Sequence, residues 1–161
     1  MLLVSRPCER IHACNPYHGR RRKGSVSHIY VFACQHRIPR DWRPPFSPEE
    51  INGHKVRLIQ LPCSAKLSTV HMLRPFEQGI DGILVMACSE DTCRSLEGSR
   101  RARMRVREAN SVLEEVGLGD CRVMLKQRNG SEPAMYRDAL EELVAQTQAL
   151  GASPTRGNNV T

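Results

Sequence analysis

The sequence predicts an α/β protein: a single flavodoxin-like or Rossmann-like domain with a four-stranded parallel sheet and helices on both faces. Three observations predict it. Apolar strand-like segments alternate with amphipathic helical segments, which is typical of parallel sheets. The strand-like segments are apolar almost throughout, so both sheet faces should be buried. The length of 161 residues suits one domain. We expect the strand order 2-1-3-4 with right-handed crossovers.

The four predicted strands are rich in β-branched and apolar residues. They cover residues 28–34, 55–63, 82–88 and 121–127. "HIYVFAC" and "GILVMAC" are typical of fully buried strands. The stretch between the first two strands contains four prolines, so we predict a loop for most of it.

Three helices are predicted from helical spacing of apolar residues. The first lies within "AKLSTVHMLRPFEQG", where Pro75 should kink the helix or end its regular part. The second covers residues 97–116 and ends before Gly117. The third begins near Pro133, which suits the first turn of a helix, and runs to about residue 150.

The two ends of the chain lack such patterns. Residues 1–27 contain six basic residues and one acidic residue, which is +5 of the formal net charge of +7. We predict a disordered basic tail there and a second disordered tail at residues 151–161, with residues 28–150 as the folded domain. An alternative for the first tail is a misassigned start, because "RRRKGSV" can be encoded by purine-rich codons ahead of a GTG codon at Val26.

Several function classes are disfavoured by composition. Outside the basic tail the chain is nearly neutral and the aromatic content is 4%, which argues against nucleic-acid binding. No apolar run reaches the roughly 20 residues of a membrane helix, and the start lacks the apolar region of a signal peptide. We therefore expect a cytoplasmic protein. No glycine-rich phosphate loop follows the first strand, so we expect no nucleotide site. The spacing indicates no carboxylate pair and no Ser/His/Asp arrangement, so we expect a non-catalytic subunit.

The seven cysteines carry the functional signal. Cys34, Cys63 and Cys88 end three consecutive predicted strands, and Cys93 follows five residues after Cys88. The carboxyl ends of parallel strands share one edge of the sheet, and neighbouring strands lie about 4.8 Å apart. These four thiols should therefore meet. The other three are Cys8 and Cys14 in the predicted tail and Cys121, which begins a strand at the opposite edge.

Four thiols at one place suit either zinc or an iron–sulfur cluster. A buried, inert thiol is the simpler interpretation for any one cysteine, but three at equivalent strand ends favour a shared site. An odd number of cysteines in a cytoplasmic chain argues against a disulfide framework. The sequence has no C-x2-C knuckle of the kind that structural zinc sites use, which favours a cluster over a zinc or thiol redox site.

The segments "VFAC", "VRLIQLPCSAKL", "FEQGIDGILVMACSEDTC" and "RMRVREANSVLEEVGL" resemble the delta subunit of the methyl-viologen-reducing hydrogenase, which represents a family of iron–sulfur subunits. The resemblance covers about residues 28–150. It implies a [2Fe–2S] cluster and electron transfer between a hydrogenase or other dehydrogenase and a heterodisulfide-reductase-type partner in an anaerobic prokaryote. The candidate ligands in this chain are Cys34, Cys63, Cys88 and Cys93, although the family has one cysteine more than a cluster requires.

One position departs from the family pattern. Members usually carry a C-x-x-C-type motif after the first strand, and Arg37 stands here in place of its second cysteine. If the missing cysteine is a ligand, the chain is a scaffold without a cluster, or His36 replaces the thiol and raises the potential. If it is not, the four remaining cysteines suffice, which is the interpretation we favour.

A run of arginines follows Cys93. Six of them lie between residues 94 and 107: Arg94, Arg100, Arg101, Arg103, Arg105 and Arg107. Three interpretations stay open. They form a solvated helix face, a docking surface for an acidic partner, or a positive field that favours a reduced cluster.

Overall fold

A computed structural model describes residues 26–43, 48–151, 153 and 155. Most of the two predicted tails lies outside the described residues. The strands are β1 (His28–Cys34), β2 (Glu50–Ile51), β3 (His54–Leu61), β4 (Gly82–Ala87) and β5 (Val123–Gln127). The helices are α1 (Thr69–Glu77), α2 (Gly98–Glu115) and α3 (Pro133–Leu150). All three predicted helices are therefore confirmed.

The sheet has the order β2-β3-β1-β4-β5. Its four long strands are mutually parallel, as predicted. They correspond to the four predicted strands, and their order β3-β1-β4-β5 is the predicted order 2-1-3-4. The prediction of a purely parallel, four-stranded sheet was wrong, because β2 pairs antiparallel with β3 and makes a five-stranded mixed sheet. Asn52 and Gly53 join the two strands with φ angles of 52° and 77°, as a two-residue hairpin turn of type I′ requires.

The strands are shorter than predicted at three ends. β3 ends at Leu61, and Cys63 lies beyond Pro62, which has no N–H group to continue the ladder. β4 ends at Ala87, so Cys88 is the first residue of the following loop. β5 begins at Val123, so Cys121 lies in the turn before it. Among the four predicted site cysteines, only Cys34 is within a strand.

Alternating side chains along the strands divide the core into two layers. Ile29, Val31 and Ala33 of β1 face α3 and pack with its apolar stripe, which includes Leu140 and Leu143. The intervening Phe32 of β1 lies on the other face, with the helices α1 and α2. Helices therefore cover both faces, as predicted. No helix among the described residues is long and apolar enough to cross a membrane.

A buried arginine holds the edge of the sheet opposite to the carboxyl ends of the strands. Arg122 is 1% exposed. Its guanidinium group donates hydrogen bonds to the carbonyl oxygens of Leu118, Asp81 and Gly151, at 2.5, 3.1 and 3.0 Å. The three acceptors belong to three separate segments. Arg122 therefore joins the residue before β4 to the turn after α2 and to the residue after α3.

We expect replacement of Arg122 by alanine to destabilise the metal-free fold by about 3–5 kcal/mol, since it leaves buried carbonyl groups unsatisfied and removes the positive charge beside Asp81. Chemical denaturation followed by circular dichroism measures this. Arg137→Ala on the exposed side of α3 is the matched control and should change stability by less than about 0.5 kcal/mol. Equal midpoints for the two variants would contradict this role of Arg122.

Candidate metal centre

Two cysteines from neighbouring central strands meet at the carboxyl edge of the sheet. Cys34 ends β1 and Cys88 follows β4, which pairs with β1 in parallel. Their Sγ atoms are 3.9 Å apart and both residues are buried, at 2% and 3% exposure. Two thiolates on one tetrahedral metal with bonds of about 2.3 Å lie about 3.8 Å apart. The spacing of this pair therefore suits two ligands of one metal ion.

The other two cysteines meet around a glycine. A Cβ atom placed on Gly98 would lie 2.7 Å from the Sγ of Cys63 and 3.3 Å from the Sγ of Cys93. Both sulfurs are thus packed against one backbone position in the first turn of α2. Cys93 is buried with Cys34 and Cys88 in one cluster, and Cys63 is half-buried. The predicted convergence of the four thiols at one edge of the sheet is what the structure has.

The local structure around Cys63 orients its thiol. Cys63 precedes a 3-10 turn at Ser64–Lys66, and its Sγ accepts a hydrogen bond from the amide of Ala65 at 3.5 Å. Arg105 of α2 holds this turn, because its Nη1 donates to the carbonyl oxygens of Ala65 and Leu67 at 2.6 and 2.8 Å. This one arginine of the run therefore supports the site from within the fold.

The loop between Cys88 and Cys93 is tied to its surroundings by side-chain hydroxyl groups. Ser99 donates to the carbonyl oxygen of Cys88, and Gln127 of β5 donates to the Ser99 hydroxyl at 2.8 Å. Thr92 donates to the side chain of Asn129 at 2.5 Å. These bonds connect the loop to α2, to β5 and to the segment after β5, which fixes the positions of both thiols.

His36 and Arg37, the second and third residues after Cys34, make their side-chain contacts with groups other than the sulfurs. Arg37 donates through Nη1 to the carbonyl oxygen of Gly130 at 3.3 Å, beyond the end of β5. The Nε2 atom of His36 lies 3.5 Å from the side-chain nitrogen of Gln35. The backbone contributes instead, because the Arg37 amide donates to the carbonyl oxygen of Cys34 at 2.7 Å and closes the turn.

Burial raises the pKa of the Cys34 thiol from 9.0 to about 11. A hydrogen bond from the His36 backbone opposes this shift, and the nearby thiols of Cys88 and Cys63 add to it. Deprotonating several thiols close together in a buried site is unfavourable without a positive charge to compensate. A bound metal supplies that charge, and metal binding should release protons here.

Alkylation of the metal-free protein tests this order of reactivity. Iodoacetamide reacts with thiolates, so at mildly alkaline pH we expect half-buried Cys63 to react first and Cys34 last. Peptide mass spectrometry gives the order of alkylation, and early modification of Cys34 would contradict it.

The raised pKa of Cys34 also makes stability depend on pH. Because the pKa in the folded state is higher than in the unfolded state, the contribution of Cys34 to the stability of the fold is present below pH 9.0 and is lost as the pH rises through about 11.

Sequence reasoning missed two residues that build the site. Gly98 had no signal beyond being a glycine in the first turn of a predicted helix, where glycine is unfavourable compared with alanine. Arg105 was not separable from the other five arginines, because its carbonyl acceptors depend on the packing of α2 against the turn after β3.

Within the described part of the chain, no three His, Cys, Asp or Glu side chains are arranged around a single metal ion.

Comparison with known proteins is consistent with this site. The sequence profile of the family "Methyl-viologen-reducing hydrogenase, delta subunit" matches residues 29–151. The iron–sulfur subunit of the vhu F420-non-reducing hydrogenase of Methanocaldococcus jannaschii is 31% identical over 101 residues, which is 63% of this chain and 75% of that protein. The iron–sulfur subunit of the F420-non-reducing hydrogenase of Archaeoglobus profundus is 28% identical over 96 residues, or 60% of this chain and 70% of that protein.

A third relative shows the same segment within a larger protein. This relative, one of the subunits of the ferredoxin:CoB-CoM heterodisulfide reductase of Methanosarcina mazei, is 26% identical over 96 residues, which is 60% of this chain and 12% of that protein. The similarity therefore concerns a small part of that larger protein. The range that the family profile matches covers most of the chain and contains positions 34, 63, 88 and 93. The chain belongs to the family of methyl-viologen-reducing hydrogenase delta subunits.

Proposed function

We propose that this protein is an electron-transfer subunit that holds one [2Fe–2S] cluster on Cys34, Cys63, Cys88 and Cys93. The observation that carries the proposal is the meeting of these four thiols at the carboxyl edge of the sheet, from three separate segments of the chain. Thiolates are the ligands that iron–sulfur clusters use, and four is the number that a [2Fe–2S] cluster takes.

The arrangement of the thiols favours a two-iron cluster over a single zinc ion. Cys34 and Cys88 form one close pair, and Cys63 and Cys93 share the position beside Gly98. Structural zinc sites usually take their ligands from two compact C-x2-C knuckles, and this chain has no C-x2-C spacing. Two pairs suit a cluster in which each iron takes two thiolates.

The surroundings of the thiols suit a redox centre. The cluster, when bound, supplies a one-electron reduction and oxidation. Burial of Cys34, Cys88 and Cys93 keeps water from the sulfurs, which lowers the local polarity. The Ala65 amide donates to the Cys63 sulfur and Arg105 adds a positive charge next to the same turn. Both stabilise additional negative charge, so both raise the reduction potential.

We propose that the partners are a hydrogenase and a heterodisulfide-reductase-type protein in a cytoplasmic complex. The names of the relatives support both, since two are hydrogenase iron–sulfur subunits and one belongs to a heterodisulfide reductase. The last of these contains a segment similar to this chain within one polypeptide. A covalent connection of that kind in a relative supports contact between the separate proteins here.

The direct test follows electrons through the reconstituted protein. Under hydrogen, a catalytic amount of a partner hydrogenase should reduce the reconstituted protein and bleach its visible absorbance. A heterodisulfide reductase with its oxidised substrate should then reoxidise the protein and restore the absorbance. A Cys63→Ser variant should show neither change. A protein that serves only as a scaffold would assemble with both partners without any absorbance change, and this result would overturn the proposal.

A further inference from the structure

The outer side of α2 and the loop before it form one exposed surface, which we call the arginine face. Its members are Arg94, Leu96, Arg100, Met104 and Arg107, and all five are exposed. On α2, positions 100, 104 and 107 are spaced by four and three residues, so they share one side of the helix. The buried residues Ala102, Val106, Ala109 and Leu113 occupy the opposite side.

The charge of this region contrasts with the rest of the domain. Between residues 94 and 107 there are six arginines and one glutamate. The remainder of residues 28–161 has twelve basic and fifteen acidic residues, so it is negative overall. Positive charge is therefore concentrated on one side of the molecule, which favours association with a negatively charged surface.

The arginines of this face are not used by the fold. Arg105 and Arg103 lie beside the face and bind Ala65 and Glu90, and Arg101 pairs with Glu97. The side chains of Arg94, Arg100 and Arg107 form no hydrogen bond or ion pair with any described residue. Arg100 also lies in the first turn of α2, which has no acidic residue, and the helix dipole disfavours positive charge there.

Leu96 has two unfavourable features that the fold does not explain. Its side chain is 86% exposed, the largest exposure among the described large apolar residues. Its backbone has a φ of 51°, in the left-handed region that leucine rarely adopts. Strained residues of this kind concentrate at binding and active sites. The residue is held in this conformation by the hydrogen bond from its amide to the carbonyl oxygen of Cys93, at 3.0 Å.

The arginine face adjoins the metal centre. Leu96 lies between Cys93, which is 8% exposed, and Gly98, which contacts the sulfurs of Cys63 and Cys93. A protein bound at Leu96 would therefore contact the segment that joins Cys93 to Gly98, next to the metal centre. Short distance through packed protein is what electron transfer between two proteins needs.

We propose that the arginine face binds an acidic electron-carrier protein, with Leu96 inserted in an apolar recess of the partner and the three free arginines facing its carboxylates. The proposal rests on the proposed function and adds the surface and the chemistry of the partner. Leu96 supplies apolar contact at the centre and the arginines supply a charged rim, which is the usual anatomy of a protein interface.

Titration calorimetry with an acidic ferredoxin as the probe tests the surface. At low ionic strength we expect the variant Arg94→Glu/Arg100→Glu to weaken binding at least about tenfold, and the affinity of the unmodified protein to fall with added salt. Leu96→Gly should also weaken binding several-fold. Because glycine adopts a positive φ without strain, this variant should keep or exceed the thermal stability of the unmodified protein.

The control is Arg137→Glu, the same charge change on the exposed side of α3 at the other face of the sheet. Equal affinity for all variants, or an equal loss in the control, would overturn the proposal. So would a change in oligomeric state in the Arg94→Glu/Arg100→Glu variant alone, since the face would then bind a second copy of the chain. Binding does not require iron, so iron content and electron paramagnetic resonance (EPR) of the same samples report separately on the proposed function.

Discussion

A Gly98→Ala variant is expected to lose its metal while keeping its fold. The added methyl group would lie 2.7 Å from the Sγ of Cys63, well inside contact distance. A cysteine side chain has a single rotatable bond, so relief of this contact moves the Cys63 sulfur to another rotamer and away from Cys93. Replacement of a residue that supports a metal ligand typically lowers metal affinity by up to about 100-fold. Displacement of the Cys63 thiolate should lower it at least as much.

The fold should tolerate the change, because alanine is about 1 kcal/mol more favourable than glycine within a helix. Iron content after anaerobic reconstitution and far-ultraviolet circular dichroism measure the two effects. Gly53→Ala is the matched control. Nothing lies within 4 Å of the position of its added methyl group, and its φ of 77° makes alanine unfavourable, so this variant should be less stable and still bind iron. Full iron content in Gly98→Ala would contradict the assigned packing of the two sulfurs.

Cys88→Ser is expected to abolish the EPR signal of the reduced protein. The iron affinity should fall by more than about 100-fold, because a loss of that size is the upper value when only a residue that supports a metal ligand is replaced. Cys88 and Cys34 form a close buried pair, at 3.9 Å between sulfurs. The substitution removes one thiolate and leaves the buried Cys34 without its partner. Iron analysis and low-temperature EPR on samples reconstituted side by side measure the change.

His36→Ala provides the control for this experiment. The His36 ring lies against the Gln35 side chain, so its removal should leave the iron content and the g-values unchanged. A shift of the g-values would identify His36 as a ligand in place of the cysteine that Arg37 replaces. Retention of the full signal in Cys88→Ser would exclude Cys88 from the ligand set.

The convergence of the thiols followed from the sequence because topology decides it. Apolar strands alternating with helices predict a parallel sheet, and a parallel sheet brings the ends of its strands to one edge. Cys34, Cys63 and Cys88 needed no exact strand boundary for this prediction. The structure moves Cys63 and Cys88 just outside their strands. Cys34, Cys88 and Cys93 still form one buried cluster, and Cys63 lies beside Cys93 at Gly98.

The added strand β2 shows where the pattern was misread. Four prolines made the segment before β3 resemble a loop, and the two-residue strand is too short for a period to be visible. Asn52 and Gly53 were nevertheless a usable signal, since asparagine–glycine between short strands is typical of a type I′ hairpin. The prolines precede the hairpin and do not interrupt it.

Other features depend on packing that no local pattern encodes. Arg122 follows a turn and precedes an apolar strand, where an arginine is ordinarily exposed; its burial follows from three carbonyl groups supplied by distant segments. Gly98 is required because two cysteines from different loops approach it. In both cases the requirement arises only after the tertiary structure is assembled.

The central claim is that four thiols of this chain hold one two-iron cluster. Iron, acid-labile sulfide and zinc should be measured on anaerobically purified protein, together with EPR after reduction. If four cysteines hold a [2Fe–2S] cluster, each chain should contain about two iron ions and two sulfide ions, and the reduced protein should give an EPR signal from a single unpaired electron. Stoichiometric zinc, or a colourless and iron-free protein after anaerobic reconstitution, would contradict the claim.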